Sequence, residues 1–197
     1  MPAQVSIGSR CVGRGCPPFL ILEAGINHNG EMDLALRMIR VAKDLGADAI
    51  KFQTFKAAEF VGDPALTYTY TSQGREITES MLEMFQRYEF SANQWRMLRE
   101  ACDVGGIIFL STPQNPSDLK LLRSLGIPAI KVGSDDLTNT PLLAHYAQTG
   151  LPLILSCGMA DQGEIRIALE TVGADRGHPT VVLVCTSQYP TPPESAH

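Results

Sequence analysis

The chain has 197 residues, 44% hydrophobic and 19% charged, with a formal net charge of −5. These proportions suit a globular protein with a sizeable core. The acidic balance, with no cluster of Lys and Arg, argues against a nucleic-acid surface, and no apolar run reaches the roughly 18 residues that span a bilayer.

The start, Met1-Pro-Ala-Gln-Val-Ser6, has no basic region followed by an apolar stretch, so no signal peptide is expected and the protein reads as cytoplasmic. Cys11, Cys16, Cys102, Cys157 and Cys185 are scattered and odd in number, which predicts reduced thiols. The Cys11/Cys16 spacing lacks the second pair or nearby His that would complete a zinc site.

In chain order, Val5 to Val12 with its flanking glycines predicts a small hairpin. Phe19 to Glu23 is the first core strand, and the helix from Asp33 to Leu45 ends at Gly46. Ala47 to Lys51 is the second strand. Phe60 to Gly74 reads as a long polar loop over one face, and Thr78 to Arg87 as a helix. Ser91 opens a further helix to about Val104, followed by a strand over Gly106 to Leu110. Pro116 suits the first turn of the next helix, which closes at Gly126. Three more strands are predicted at 128–132, 152–155 and 180–184, separated by helices at 140–148 and 162–172.

Short strands apolar on both faces, alternating with helices, indicate a parallel sheet in an α/β fold. No Gly-x-Gly-x-x-Gly follows the first strand, and polar residues end every strand, which favours a TIM-type (β/α)8 barrel over a dinucleotide-binding sheet. Six strands do not close a barrel of eight. The expectation is one domain over residues 1–197, truncated after about six strands.

The strand ends collect Glu23, Asn27 and His28; Lys51 and Gln53; Ser111 and Thr112; Lys131, Ser134 and Asp136; Ser156; and Thr186, Ser187 and Tyr189. Lys at the end of an apolar strand is costly unless a partner neutralises it. Two readings stand: the lysines pair with Glu23, Asp135 or Asp136, or they bind a phosphate or carboxylate with the hydroxyls between them. Glu23 and Asp136 could act as acid and base or hold a metal. His28 could instead cap the following helix or hydrogen-bond a loop. His145 and His178 read as structural, since neither lies at a strand's C-terminal end.

Glu23-Ala-Gly-Ile-Asn-His-Asn-Gly30, Lys51-Phe-Gln-Thr54, Ser111-Thr-Pro113, Lys131-Val-Gly-Ser134, Ser156-Cys-Gly-Met159 and Cys185-Thr-Ser-Gln-Tyr-Pro-Thr-Pro192 fall in one order. In that order the chain resembles the N-terminal barrel domain of the sialic acid (N-acetylneuraminate) synthase family, from about residue 5 onward. The resemblance implies a transferase that condenses phosphoenolpyruvate with an N-acetylmannosamine-type sugar, or its 6-phosphate, to give a nonulosonic acid and phosphate. It implies Glu23 and Asp136 as catalytic acids. Lys51, Ser111, Thr112, Lys131, Ser134, Thr186 and Ser187 would bind phosphoenolpyruvate, and Asn27, Gln53 and Tyr189 the sugar.

It further implies a divalent metal, manganese or magnesium, whose ligands lie beyond His197, so none is expected within this chain. The family's C-terminal antifreeze-like domain would be absent, and the longer parent would be a homodimer acting on small molecules, with no nucleic-acid or membrane partner. Asp135 stands where the family usually has a second Gly after Ser134, and Ser187 where it often has Asn. The competing expectation is a truncated, non-catalytic fragment that binds phosphoenolpyruvate or sugar without turnover.

Overall fold

The computed structural model describes residues 4–72, 74–188 and 191–196. It divides into two compact units: Ile21–Gly126, and the chain up to Leu20 together with that from Ile127 onward.

The second of these begins with the expected hairpin, β1 (Gln4–Ile7) paired antiparallel with β2 (Arg10–Gly13). Here the structure corrects the reduced-thiol expectation for two residues. Cys11 and Cys16 are disulfide-bonded, with Cα atoms 5.9 Å apart, while Cys102, Cys157 and Cys185 are free. Cys11 is fixed in the ladder opposite Ser6, and the chain turns just beyond Gly13, where the Cys16 N–H bonds the Gly13 carbonyl. That turn brings the two Cα atoms into the bridging range.

Within Ile21–Gly126, β3 (Ile21–Gly25) leads to α1 (Met32–Asp44), β4 (Ala49–Thr54) and the single turn α2 (Ala57–Phe60). Then come β5 (Thr67–Ser72), β6 (Arg75–Ser80), α3 (Met81–Tyr88), α4 (Ala92–Gly105), β7 (Ile108–Pro113) and α5 (Pro116–Ser124). Strands β3, β4 and β7 form a parallel sheet in that order. Phe52 and Phe109 leave this sheet on the side of Trp95, which lies on α4; the ring centroids are 6.0 and 6.3 Å from the indole. All three side chains are buried, each contributing roughly 1.5–3 kcal/mol of apolar burial. Helix α4 starts in a full capping box from Ser91 and Gln94 and stops at the left-handed Gly106.

The predicted loop over 60–74 is corrected. Thr67–Ser72 pairs in register with Arg75–Ser80, so β5 and β6 form an exposed antiparallel hairpin. Alternate Thr and Tyr residues favour extended backbone, and Tyr68 stacks beside Tyr70 at 5.8 Å. The ladder takes Thr78 to Ser80, so the helix expected from Thr78 begins at Met81, with the Ser80 hydroxyl accepting the Glu83 N–H.

The unit that resumes at Ile127 holds β8 (Ile130–Val132), a 3-10 turn over Ser134–Asp136, α6 (Thr140–Ala147), β9 (Leu153–Ser156), α7 (Gln162–Val172) and β10 (Thr180–Leu183). Its sheet is parallel in the order β10, β9, β8. Helices α6 and α7 pack on each other. Leu143 and Tyr146 of α6, Ala168 and Val172 of α7, and Ile130, Leu153, Ile154 and Leu155 of the strands are buried.

Six strands, three in each of two parallel sheets, thus alternate with helices as the periodicity predicts. Strands β4 and β7 run three residues further than predicted, because ladder hydrogen bonds continue regardless of side-chain polarity. Residues expected to follow a strand therefore lie inside one, and alternate between its faces.

Candidate active site

In Ile21–Gly126 the register places Glu23, Lys51 and Leu110 side by side, then Phe52 beside Ser111 and Gln53 beside Thr112. Lys51 and Glu23 form an ion pair across neighbouring strands. The lysine is buried, whereas half of the glutamate side chain is exposed. This is the structural pairing foreseen as an alternative, and it leaves the carboxylate end of Glu23 open to solvent.

Beyond Glu23 the strand bulges at Gly25, whose φ is +52°. A β-carbon there would lie 3.2 Å from Glu23 Oε1, 3.4 Å from Gln53 Oε1 and 3.8 Å from Asn27 Nδ2. Three expected site residues therefore gather over a position that only glycine leaves clear. Gln53 and Thr112 share the face of Lys51, and Thr112 is buried.

Ser111 is not brought into this group. It lies on the opposite face, fully buried, with its hydroxyl 2.7 Å from that of Thr54. The parity of the strand is the reason: Phe52, Thr54, Phe109 and Ser111 turn one way, Lys51, Gln53 and Thr112 the other.

His28 is also fully buried, stacked on Phe90 at 4.2 Å with rings 20° apart. Its Nδ1 accepts the Gly30 N–H at 3.1 Å, and Nε2 has no partner among the described residues. Burial lowers its pKa to about 4, so the ring is neutral. The loop-bonding role foreseen for His28 is the one observed.

In the unit from Ile127 onward, Lys131 Nζ donates to Ser156 Oγ and to the Val132 carbonyl, both at 2.6 Å. Ser134 Oγ accepts the Gly158 N–H at 3.0 Å. A β-carbon on Gly158 would meet Ser187 Oγ at 2.7 Å and Ser134 Oγ at 2.9 Å, so two predicted hydroxyls converge on a second bare glycine. Asp136 accepts from Asn139 Nδ2 at 3.1 Å. Burial, opposed by that hydrogen bond and reinforced by the Asp135 charge, raises its carboxyl pKa. Thr186 donates to the Ser195 carbonyl at 3.2 Å. Tyr189 lies outside the described residues.

The focal glycines, Gly25 and Gly158, were not among the expected site residues. The signal available was a Gly three positions past an apolar run, Phe19–Leu22 in one case and Pro152–Leu155 in the other. Among the described residues, no three His, Cys, Asp or Glu side chains gather as a metal site would require. The described residues therefore do not fit a divalent ion. No helix among the described residues is long and apolar enough to cross a membrane.

These features define an α/β protein of alternating parallel strands and helices, with its polar chemistry at and near strand ends. The chain belongs to the NeuB family, whose model matches residues 38–197. It is 40% identical over 176 residues to the N,N'-diacetyllegionaminic acid synthase of Legionella pneumophila, covering 87% of this chain and 49% of that protein. It is 34% identical over 198 residues to the human N-acetylneuraminate-9-phosphate synthase, covering 100% of this chain and 55% of that one.

Among solved structures, N-acetylneuraminic acid (sialic acid) synthetase from Leptospira borgpetersenii serovar Hardjo-bovis, in complex with citrate, matches with a TM-score of 0.85 at 32% identity. That match covers 98% of this chain and 62% of the other. The structural neighbours are of TIM-barrel type. The chain spans about half the length of the curated relatives it matches.

Proposed function

We propose that this chain forms part of a TIM-type barrel synthase that condenses phosphoenolpyruvate with an N-acetylmannosamine-type amino sugar, or its 6-phosphate. The products would be a nonulosonic acid and phosphate. The observation that carries the reading is Lys131. A buried ammonium that donates to the Ser156 hydroxyl and the Val132 carbonyl, at the end of β8, is a donor suited to an anionic ligand. Membership of the NeuB family and relatives named as synthases of legionaminic and N-acetylneuraminic acid 9-phosphate support the substrate class.

In this reading Lys51, Thr112, Lys131, Ser134, Thr186 and Ser187 supply donors to the phosphate and carboxylate of phosphoenolpyruvate, stabilising charge as it moves. Ser111 serves only from behind, by bonding Thr54. Carbon 3 of phosphoenolpyruvate attacks the open-chain aldehyde, water adds at carbon 2, and phosphate departs with cleavage of the C–O bond. Glu23, paired with Lys51, accepts from sugar hydroxyls or the attacking water, with Asn27 and Gln53 as neighbours. Asp136, whose carboxyl is pushed upward, is suited to deliver a proton. The setting is a cytoplasmic enzyme acting on small molecules, as a homodimer and with manganese or magnesium bound by residues outside those described.

The test is phosphate release from phosphoenolpyruvate by the natural gene product, in manganese or magnesium buffer, with N-acetylmannosamine, its 6-phosphate and diacetamido-hexoses. Sugar-dependent release that Lys131→Met abolishes establishes the reading and names the sugar. Saturable phosphoenolpyruvate binding without release from any sugar would replace it with a binding role.

A further inference from the structure

Two cysteines outside the proposed chemistry share a single acceptor. Cys157 follows β9 directly, and Cys185 follows β10 by two residues, on adjacent strands where Ser156 pairs with Leu183. The Leu183 carbonyl oxygen receives the Cys157 N–H at 3.1 Å, Cys157 Sγ at 3.0 Å and Cys185 Sγ at 3.4 Å. The two sulfurs are therefore no farther apart than the sum of the last two distances. Three donors crowd an oxygen with two lone pairs, so the thiols compete for it and one proton is poorly placed. A β-carbon on Gly158 would lie only 3.4 Å from the Cys185 β-carbon, so the two chain segments already touch at this point.

From this geometry we infer that Cys157 and Cys185 form a dithiol modification site, closed to a disulfide by a hydroperoxide oxidant. Both side chains are half-buried and reduced in the structure. Neighbouring parallel strands run about 4.8 Å apart, so residues just past a register pair fall within the Cα range a disulfide spans. In the first step a thiolate attacks one peroxide oxygen; the S–O bond forms, the O–O bond breaks, and the leaving hydroxide takes a proton to become water. In the second step the other sulfur attacks the sulfenic sulfur. The S–S bond forms, the S–O bond breaks, and hydroxide leaves as a second water with the second thiol proton. Two thiols are oxidised by one electron each, and the peroxide is reduced by two.

Cys102 is the built-in contrast. It is fully buried on α4, and burial pushes its thiol up to about 12, so it supplies almost no thiolate. Closure would draw the segment bearing Gly158 toward Cys185, and with it the N–H that Ser134 accepts.

The experiment is peptide mapping of the full chain after a stoichiometric pulse of hydrogen peroxide, quenched with iodoacetamide. Arg166 and Arg176 lie between the two cysteines, so trypsin releases Cys157 within 132–166 and Cys185 in the separate peptide that begins at Gly177. The expected product is those two peptides joined with loss of two hydrogens, while Cys102 is still a free thiol when the denatured digest is alkylated. Cys157→Ser should leave Cys185 as a sulfenic acid that dimedone traps, with no cross-link. Separate alkylation or oxidation of both thiols, or a cross-link from either to another cysteine, would overturn the inference. This readout does not depend on phosphoenolpyruvate binding.

Discussion

Glu23 and Lys51 are register partners on adjacent parallel strands, and their side chains meet as an ion pair with the lysine buried and the glutamate half exposed. The pair is asymmetric. Removing the carboxylate strands a buried ammonium, whereas removing the lysine leaves a carboxylate that water can reach. Glu23→Gln should cost about 1–2 kcal/mol in urea unfolding, discounted for the exposed half of the pair. Adding Lys51→Met to it should recover part of that loss, giving a coupling that double-mutant analysis reads directly. Strict additivity would mean that the pair contributes nothing to stability.

Lys131 gives the sharper functional test. Lys131→Met should lower phosphoenolpyruvate affinity by roughly 10- to 100-fold, the range expected for one charge-assisted hydrogen bond. Ser156→Ala keeps the ammonium and its Val132 carbonyl contact, so its loss should be under about tenfold. Isothermal titration on the two variants would show the order; equal losses would mean that Ser156 itself contacts the ligand.

Gly30 and Gly74 have the same φ, +77°, in different surroundings. A β-carbon on Gly30 would overlap the Arg87 carbonyl oxygen, whereas one on Gly74 would meet nothing within 4 Å. Gly74→Ala should therefore cost only the conformational strain, about 1 kcal/mol, and Gly30→Ala about 2–4 kcal/mol through strain and overlap together. Thermal unfolding of both variants separates the two causes, and similar losses would show that the Gly30 loop relaxes freely.

His28 makes stability depend on pH. An unfolded imidazole titrates near 6.5, and burial holds the folded one to about 4. Between those values the unfolded chain binds the extra proton. The contribution is therefore intact above about pH 6.5 and is lost as pH falls toward 4, by roughly 3 kcal/mol. His28→Phe should cost about 1 kcal/mol at pH 7, where the Gly30 N–H loses its acceptor. Its deficit should shrink and reverse on acidification. Denaturant midpoints that stay parallel from pH 7 to 4.5 would refute this.

Much of the architecture was legible because its signals are local. Helix α7 was read to the residue, Gln162–Val172, since Asp161 and Glu164 form a capping box and Gly173 takes the left-handed stop. The β5–β6 hairpin was not legible. Its strands are largely exposed, and their pairing rests on residues such as Thr69 and Thr78 finding each other across a turn. The motifs that carry the family resemblance contain Glu23, Lys51 and Lys131.

The sequence alone determined the alternation of six apolar strands with helices, because period and caps are properties of consecutive residues. It also determined which residue types end those strands, and with them the family. Only the tertiary structure decided which way each side chain turns. Ser111 and Thr112 are neighbours in sequence, yet strand parity and a register shared with Phe52 and Gln53 send them to opposite faces. The same holds for Gly25, Gly158 and the Leu183 carbonyl, where side chains distant in the chain converge on one bare point. Convergence of that kind is set by strand pairing, a long-range property that no local window of residues encodes.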